Sequence, residues 1–151
     1  MVTLYNVISK DGFIARLDGS EGFIPDESWP KTLEFFNQFD LLVMGRNTYN
    51  VIQEYPEHLL RPFEELDVSK VVVTRDKTFL PRAWYEVANS PEEALGMGND
   101  IVVSSGPTLN NYLLEHGLVD KIVLRSVQKE IVDGIKPYSA KLTNLMPNYI
   151  D

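Results

Sequence analysis

Short apolar runs recur along the chain, and each ends at a glycine or at small polar residues. Residues 40–45 read DLLVMG, residues 70–76 read KVVVTRD and residues 100–105 read DIVVSS. Such a run predicts a strand with both faces buried, as in a parallel sheet that helices cover on each side. No other feature of the sequence restricts the fold as much.

Helix-like stretches separate the apolar runs. Strands and helices that alternate in this way predict an α/β fold, in which a mostly parallel central sheet lies between two layers of helices. Residues 55–69 are expected to be irregular. The other predicted strands are residues 2–8, 83–89 and 118–131, and the predicted helices are Ser28 to about Phe39, residues 46–55, a short helix capped by Ser90, and residues 107–117.

Composition excludes several classes of protein. The 151 residues fit one domain, and 14 Lys and Arg against 22 Asp and Glu give a net charge of −8, which disfavours nucleic acid and anionic membranes as partners. No apolar run is long enough to cross a bilayer. The lack of cysteine excludes thiolate catalysis, and two isolated histidines predict no metal site. We expect a cytoplasmic protein that binds a small molecule.

Three of the predicted strands end in residues suited to phosphate binding. Two of these ends also open a helix, whose first turn presents unpaired N–H groups and a positive dipole end. Neither GxGxxG nor GxxxxGK[ST] is present, and each junction alone also fits an ordinary turn, cap or strand end. The three groups are Gly45, Arg46, Asn47 and Thr48; Thr74 and Arg75; and Ser105, Gly106, Pro107 and Thr108.

Four ordered motifs resemble the dihydrofolate reductase-like superfamily. They are ISKDGFIA (8–15), DLLVMGRNTY (40–49), VVVTRD (71–76) and SGPTLNNYLLEHGLVDKIVL (105–124). The resemblance is strongest to the branch with the C-terminal reductase domain of riboflavin-biosynthesis enzymes. It implies the three-layer dihydrofolate reductase-like fold and an NADPH-dependent reductase of a small planar heterocycle, riboflavin-pathway-like or pterin-like, or of a related C=N or C=O substrate.

The resemblance also assigns roles to residues. Gly45, Arg46, Asn47 and Thr48 match the stretch that wraps the cofactor phosphates. Thr74 and Arg75 match the strand end that holds the adenosine 2′-phosphate, which implies NADPH rather than NADH. Ile14 and Ala15 match the mobile loop that closes over the nicotinamide. The stretch whose backbone approaches the cofactor pyrophosphate is matched by Ser105, Gly106, Pro107, Thr108 and Leu109.

The chain departs from the family pattern in two places. The family usually has two glycines where this chain has Ser105 and Gly106. Three outcomes are open for the Ser105 side chain: the site tolerates it, its hydroxyl contacts the cofactor, or it weakens cofactor binding. The closing hairpin also looks shortened over residues 130–151, so either the sheet lacks its last strand or another chain completes the edge. The second outcome would give a homodimer.

The proton donor and the substrate contacts are less defined. The position that carries the family's carboxylate falls near Trp29, so Asp26 and Glu27 are the candidate catalytic acids, or else acids that stabilise a helix start. Asp11 is a substrate contact or a turn residue. Trp29 and Phe36 line a planar substrate pocket or belong to the core.

Two other functions fit the same sequence. One is a catalytically silent nucleotide-binding or interaction protein on this fold, which the Ser105 substitution and the short C-terminal region suggest. The other is an unrelated α/β phosphate-binding domain.

Overall fold

A computed structural model describes residues 1–151 and contains seven strands, five α-helices and one 3-10 turn. None of the helices has the length and apolar character that crossing a bilayer requires. The elements, in chain order, are β1 (Val2–Ile8), α1 (Ser28–Phe36), β2 (Leu41–Gly45), α2 (Arg46–Gln53), α3 (Glu57–Glu64), β3 (Ser69–Val73), β4 (Tyr85–Ala88), α4 (Pro91–Leu95), β5 (Ile101–Val103), α5 (Pro107–Glu115), β6 (Lys121–Ser126), the 3-10 turn (Ala140–Leu142) and β7 (Asn148–Ile150).

All seven strands form one sheet in the order β4-β3-β2-β5-β1-β6-β7, and every neighbouring pair is parallel. The apolar runs occupy the centre of this sheet. In β2, Leu41 and Val43 pack on one face while Leu42 and Met44 pack on the other, and all four are buried. An unbroken apolar strand is explained by this two-sided burial. The predicted fold class is confirmed.

The helices divide between the two faces of the sheet. Helices α4 and α5 share a core cluster with Leu41, Val43 and Val103. Helices α1, α2 and α3 share the other cluster with Leu42, Met44 and Val102. The result is a three-layer arrangement with one hydrophobic core above the sheet and one below it.

Helix α3 lies where the sequence predicted an irregular segment, so that prediction is wrong. Pro62 stands inside the helix, at a cost of about 3 kcal/mol in a helix interior. Leu60 and Phe63 are 3% and 0% exposed, and burying two such side chains returns roughly 1.5–3 kcal/mol each. Tertiary burial therefore outweighs the local penalty, and the helix ends two residues after the proline.

The first helix differs in detail from its prediction. It ends at Phe36 instead of Phe39, and Ser28 is its first residue rather than its cap. The cap position belongs to Glu27, whose side chain makes no capping hydrogen bond.

In contrast, Ser90 caps α4 as predicted, since its hydroxyl accepts a hydrogen bond from Glu93 N. Gly117 follows α5 with a φ of 67°, the left-handed conformation expected of a residue just past a helix.

The end of the chain follows neither of the outcomes predicted for it. The strand predicted over residues 118–131 is shorter, and Asn148–Ile150 adds a further strand parallel to it. Three residues are too few to show the alternation by which a strand is recognised. The sheet edge beside β6 is thus formed by this chain itself.

Candidate functional site

The order in which the strands are added to the sheet reverses between β2 and β5. The connection after β2 leads to β3 on one side, whereas the connection after β5 passes β1 to reach β6 on the other. Helices α2 and α5, which open these connections, pack on opposite faces. In open α/β sheets the crevice at such a reversal, outside the carboxyl ends of the strands, is where ligands bind. Two of the three predicted phosphate-binding junctions meet at this crevice.

The first wall of the crevice is the start of α2. Gly45 is the N-cap residue, and Arg46, Asn47 and Thr48 form the first turn. The Gly45 N–H donates a hydrogen bond of 3.0 Å to the hydroxyl of Ser105. A Cβ on Gly45 would stand only 3.0 Å from the same oxygen. The close approach of the two strand ends therefore favours glycine at position 45.

The second wall is the start of α5, and buried amides orient it. The carbonyl of Ser105 accepts hydrogen bonds from Asn6 Nδ2 at 2.8 Å and from Asn110 Nδ2 at 3.2 Å. No peptide bond is cis, so the N–H of Gly106 points away from these amides. A Cβ on Gly106 would meet nothing within 4 Å. This N–H makes no hydrogen bond within the protein, so it is available to a phosphate oxygen.

The rest of this wall continues into the helix. Pro107 takes the first helical position, where its missing N–H costs nothing. Thr108 is exposed, whereas Leu109 turns into the core. The Leu109 side chain therefore serves packing, and only its backbone remains available to a ligand.

Asn110 connects this wall to the rest of the molecule. The residue is 0% exposed, and its Nδ2 lies 3.0 Å from Asn6 Oδ1, 3.2 Å from Ser105 O and 3.0 Å from Pro137 O. An amide NH₂ has two hydrogens for these three acceptors, so one hydrogen is shared. Sequence reasoning missed both asparagines. The available signal was a polar amide inside the apolar strand VTLYNVI and inside the helix PTLNNYLLE.

The third junction, at the end of β3, lies beside β2 in the sheet. Thr74 Oγ1 accepts a hydrogen bond from Asp76 N at 3.1 Å, which shapes the turn. Arg75 is exposed and makes no ion pair or hydrogen bond with the protein. The hydrogen bond to Glu92 raises the pKa of the Tyr112 phenol, and the Arg75 charge opposes that shift. Arg75 is thus a free cation whose charge reaches Tyr112 of α5.

Arg46 behaves differently from Arg75. Its guanidinium lies 3.7 Å from the centre of the Phe79 ring and pairs with Asp76 at 3.7 Å. These contacts hold the side chain towards the loop after β3. Of the two arginines predicted beside the phosphates, Arg75 has no partner in the protein, whereas Arg46 contacts Phe79 and Asp76.

Asp11 is hydrogen-bonded within the protein and also lines a cavity of about 380 Å³ over the ends of β1 and β6, so the substrate contact predicted for it stays a prediction. One carboxylate oxygen accepts hydrogen bonds from Ser9 Oγ at 2.6 Å and Ile131 N at 3.2 Å, and the other accepts from Val132 N at 2.8 Å. Both oxygens are used to join the loop after β1 to the segment after β6. Asp11 also lies in a turn, as the alternative prediction has it, because Gly12 N donates a hydrogen bond to Ser9 O.

Ile14 and Ala15 belong to the same connection. Ile14 N donates to Ile135 O, and Ile135 N donates to Ala15 O, both at 2.8 Å. Ala15 is 6% exposed. The loop that the resemblance assigned to the nicotinamide is thus paired with the segment after β6 in this structure.

Replacing Asp11 with asparagine should weaken this connection near neutral pH. The hydrogen bond from Ser9, followed by those from Val132 and Ile131, lowers the pKa of the Asp11 carboxyl. The charged form therefore stabilises the folded state above the unfolded pKa of about 4, and this contribution is lost as the pH falls through the folded value. We expect faster hydrogen exchange at the Val132 amide at pH 7, with a difference from wild type that shrinks in acid. Asp18→Asn is the matched control, because Asp18 bonds only within its own turn; equal Val132 exchange in wild type and Asp11→Asn would contradict the assignment.

The other predicted catalytic and substrate residues lie on α1 or directly before it. Asp26 and Glu27 are exposed at the start of α1, and Glu27 lines a cavity of about 180 Å³. Trp29 donates from Nε1 to Leu59 O at 2.8 Å and packs edge-on against Tyr55. Phe36 is 2% exposed in the core. Phe36 belongs to the core, whereas the half-buried Trp29 joins α1 to α3 and its substrate role stays a prediction.

Comparison with known proteins places the fold. No protein-family model matches the sequence, and no curated protein matches it. A candidate riboflavin biosynthesis protein from Shewanella sp. PV-4 has a TM-score of 0.66 at 17% identity, over 91% of this chain and 82% of that one. Dihydrofolate reductase from Enterococcus faecalis, complexed with NADP(H) and RAB-propyl, has a TM-score of 0.64 at 19% identity, over 91% and 77%.

A third solved structure is a diaminohydroxyphosphoribosylaminopyrimidine deaminase/5-amino-6-(5-phosphoribosylamino)uracil reductase from Thermotoga maritima. Its TM-score is 0.64 at 18% identity, over 91% of this chain. The chain spans about half of that protein, 47%. These likenesses establish the fold class: the chain has the dihydrofolate reductase-like fold, as its motifs predicted. More particularly, it shares this fold with a riboflavin-pathway reductase and with a dihydrofolate reductase.

Proposed function

We propose that the protein is an NADPH-dependent reductase of a small planar heterocycle or a related C=N or C=O substrate. The crevice between β2 and β5 carries the proposal. It joins two helix starts on opposite faces of the sheet with a Gly106 N–H that has no partner in the protein, and the free cation Arg75 follows the neighbouring strand β3. These are the groups that a dinucleotide diphosphate and a 2′-phosphate require.

The residues at the crevice fit such a cofactor. The N–H of Gly106 would bind a diphosphate oxygen, together with the first-turn amides of α2 and α5, and Arg75 would bind the 2′-phosphate. A bound nicotinamide supplies the hydride. The protein's part is to orient the ring and to exclude water. Asp26 and Glu27 remain the proton donors predicted from the sequence, and both are exposed at the start of α1.

Binding of nicotinamide cofactors tests the proposal. NADPH should raise the melting temperature, because a ligand of the native state stabilises it, and NADH should raise it less. In Arg75→Ala, NADPH affinity should fall about tenfold or more through loss of a charge-assisted pair, while NADH affinity stays the same. Lys77→Ala is the matched control, an exposed cation two residues further along the same turn. A melting temperature unaffected by millimolar NADPH would refute the reductase.

A catalytically silent nucleotide-binding protein is the second candidate. The Ser105 hydroxyl already accepts the Gly45 N–H, which leaves that N–H unavailable to a phosphate. Binding of NADPH without turnover of any reducible heterocycle would favour this candidate. That residues 1–151 form one domain, that the protein is cytoplasmic and that it forms a homodimer remain predictions from the sequence.

A further inference from the structure

The turn that follows β3 carries a carboxylate beside the start of α2. Val73, the last residue of β3, lies opposite Gly45, the last residue of β2, so the residues that follow these strands meet at one edge of the sheet. Across this junction, Asp76 Oδ2 lies 3.7 Å from Arg46 Nη1. The two side chains are 49% and 37% exposed. A ligand at the sheet edge can therefore reach both members of the pair.

Asp76 is held in place by its own turn. Its Oδ1 accepts hydrogen bonds from Thr78 N at 2.9 Å and from Thr78 Oγ1 at 2.6 Å. Its backbone N–H donates to Thr74 Oγ1 at 3.1 Å. The hydrogen bonds from Thr78, and after them the charge of Arg46, lower the pKa of the Asp76 carboxyl. Asp76 is therefore a fixed negative charge at neutral pH.

The contacts of Arg46 orient its guanidinium without using all of its donors. The guanidinium lies 3.7 Å from the centre of the Phe79 ring, and its Nε donates to Asn50 Oδ1 at 3.4 Å. The distance of 3.7 Å to Asp76 is longer than a hydrogen bond. Neither Nη atom makes a hydrogen bond within the protein, so both remain available to an oxyanion. The charge of Arg46, by contrast, already has a partner in Asp76.

The other carboxylates at this edge of the sheet lie on α4 and have other partners. Glu92 Oε2 accepts a hydrogen bond from the Tyr112 hydroxyl at 2.6 Å, and Glu93 Oε2 accepts one from Asn89 N at 2.9 Å. Neither glutamate takes part in an ion pair. Asp76 is therefore the carboxylate that is paired with a cation of the crevice.

We infer that Asp76 sets the cofactor preference of the crevice, because it competes with the 2′-phosphate of the cofactor for Arg46. The inference rests on the proposed function, in which Arg75, one residue before Asp76, binds that phosphate. A phosphate at this turn carries roughly two negative charges and would be repelled by the Asp76 carboxylate. NADH has a hydroxyl in place of the phosphate and meets no such repulsion. Asp76 thus reduces the difference in affinity between NADPH and NADH.

Coulomb's law gives the size of the expected effect. A single charge about 6 Å from a doubly charged phosphate changes its affinity by roughly tenfold at the dielectric constant of water. Salt reduces this to about threefold near physiological ionic strength. The repulsion therefore weakens NADPH binding without preventing it, which is how a like charge adjusts specificity.

Replacing Asp76 with asparagine tests the inference. Asp76→Asn removes the charge but keeps an oxygen that accepts a hydrogen bond from Thr78 N, so the turn is preserved. We expect NADPH affinity to rise about three- to tenfold and NADH affinity to stay the same, as measured by fluorescence titration of the nicotinamide. If Asp76 only shapes the turn, the ratio of the two affinities stays at its wild-type value, and that result overturns the inference.

Asp18→Asn is the matched control, because Asp18 is an exposed acid in a turn of the same kind. Its Oδ1 accepts a hydrogen bond from Ser20 N, two residues further on, at 2.9 Å. The NADPH to NADH affinity ratio should stay the same in this variant. An equal rise of the ratio in Asp18→Asn and Asp76→Asn would trace the effect to the net charge of the protein and overturn the inference.

A probe without the nicotinamide separates this inference from the proposed function. Adenosine 2′,5′-bisphosphate carries the 2′-phosphate, and adenosine 5′-monophosphate lacks it. Tighter binding of the bisphosphate alone in Asp76→Asn, in a protein that NADPH does not stabilise, would support the role of Asp76 and remove the reductase. NADPH binding with an unchanged affinity ratio removes the role of Asp76 alone. No binding of NADPH or of the bisphosphate to either protein refutes both.

Discussion

Asn110→Ala should lower the free energy of unfolding by about 3 kcal/mol. The substitution removes the shared donor of Asn6 Oδ1, Ser105 O and Pro137 O. Leaving buried acceptors without a donor costs roughly 1–3 kcal/mol, and the emptied volume adds to the loss. Because these acceptors lie on β1, on the end of β5 and in the C-terminal segment, the start of α5 should also lose its orientation. We expect weaker NADPH binding together with the lower stability.

Two further variants show whether hydrogen bonding is the cause. Asn110→Asp keeps the volume of the side chain but turns an oxygen towards three carbonyl oxygens, so it should destabilise more than alanine does. Asn111→Ala is the matched control on the same helix, because Asn111 makes one hydrogen bond, from Ser139 N at 2.8 Å, worth about 1 kcal/mol. Denaturant unfolding measures all four proteins. An Asn110→Ala cost no larger than that of Asn111→Ala would contradict the connecting role of Asn110.

Ser105→Gly should have opposite effects on stability and on cofactor binding. Loss of the hydroxyl removes the 3.0 Å hydrogen bond from Gly45 N and adds backbone freedom to the unfolded chain, for about 1–2 kcal/mol of lost stability. The freed Gly45 N–H can then donate to a phosphate oxygen. We expect NADPH to bind about tenfold more tightly, which corresponds to about 1.4 kcal/mol.

The neighbouring serine provides the control for this change. Ser104 is half-buried and its hydroxyl makes no hydrogen bond, so Ser104→Gly should cost backbone entropy without improving NADPH affinity. Fluorescence titration of the nicotinamide measures binding in both variants. Weaker NADPH binding in Ser105→Gly would mean that the hydroxyl itself contacts the cofactor. In that case the crevice uses Ser105 as a ligand group rather than as a brace between strands.

The polar residues that the sequence singled out lie at strand ends for a local reason. Strands β3, β2 and β5 are neighbours, and in a parallel sheet their carboxyl ends share one edge. Gly45, Thr74 and Ser105 therefore had to lie along the same edge once the strands were recognised. Asp11 and Trp29 were harder to interpret, because their partners, Val132 and Leu59, lie in segments without a clear pattern.

The missed residues share a different property. Arg125 lies in the apolar stretch IVLRSV and Asn6 in VTLYNVI. Each polar residue interrupts an apolar stretch that is still recognisable as a strand. A polar side chain in a buried strand must find a partner, so such a break is a usable signal. The identity of the partner was not readable, because Tyr5 lies 120 residues before Arg125 in the chain.

The sequence by itself determined the α/β class, the order of most elements and the alignment of three junctions at one edge. Periodicity and turn residues are local properties, so they can be recognised in the sequence alone. Only the tertiary structure decided which groups are free. It joined Gly45 to Ser105 across 60 residues and Asn6 to Asn110 across 104, held Arg46 against Phe79 and left Arg75 exposed. These outcomes depend on how distant segments pack, because hydrogen bonds and ion pairs act only over a few ångströms in space.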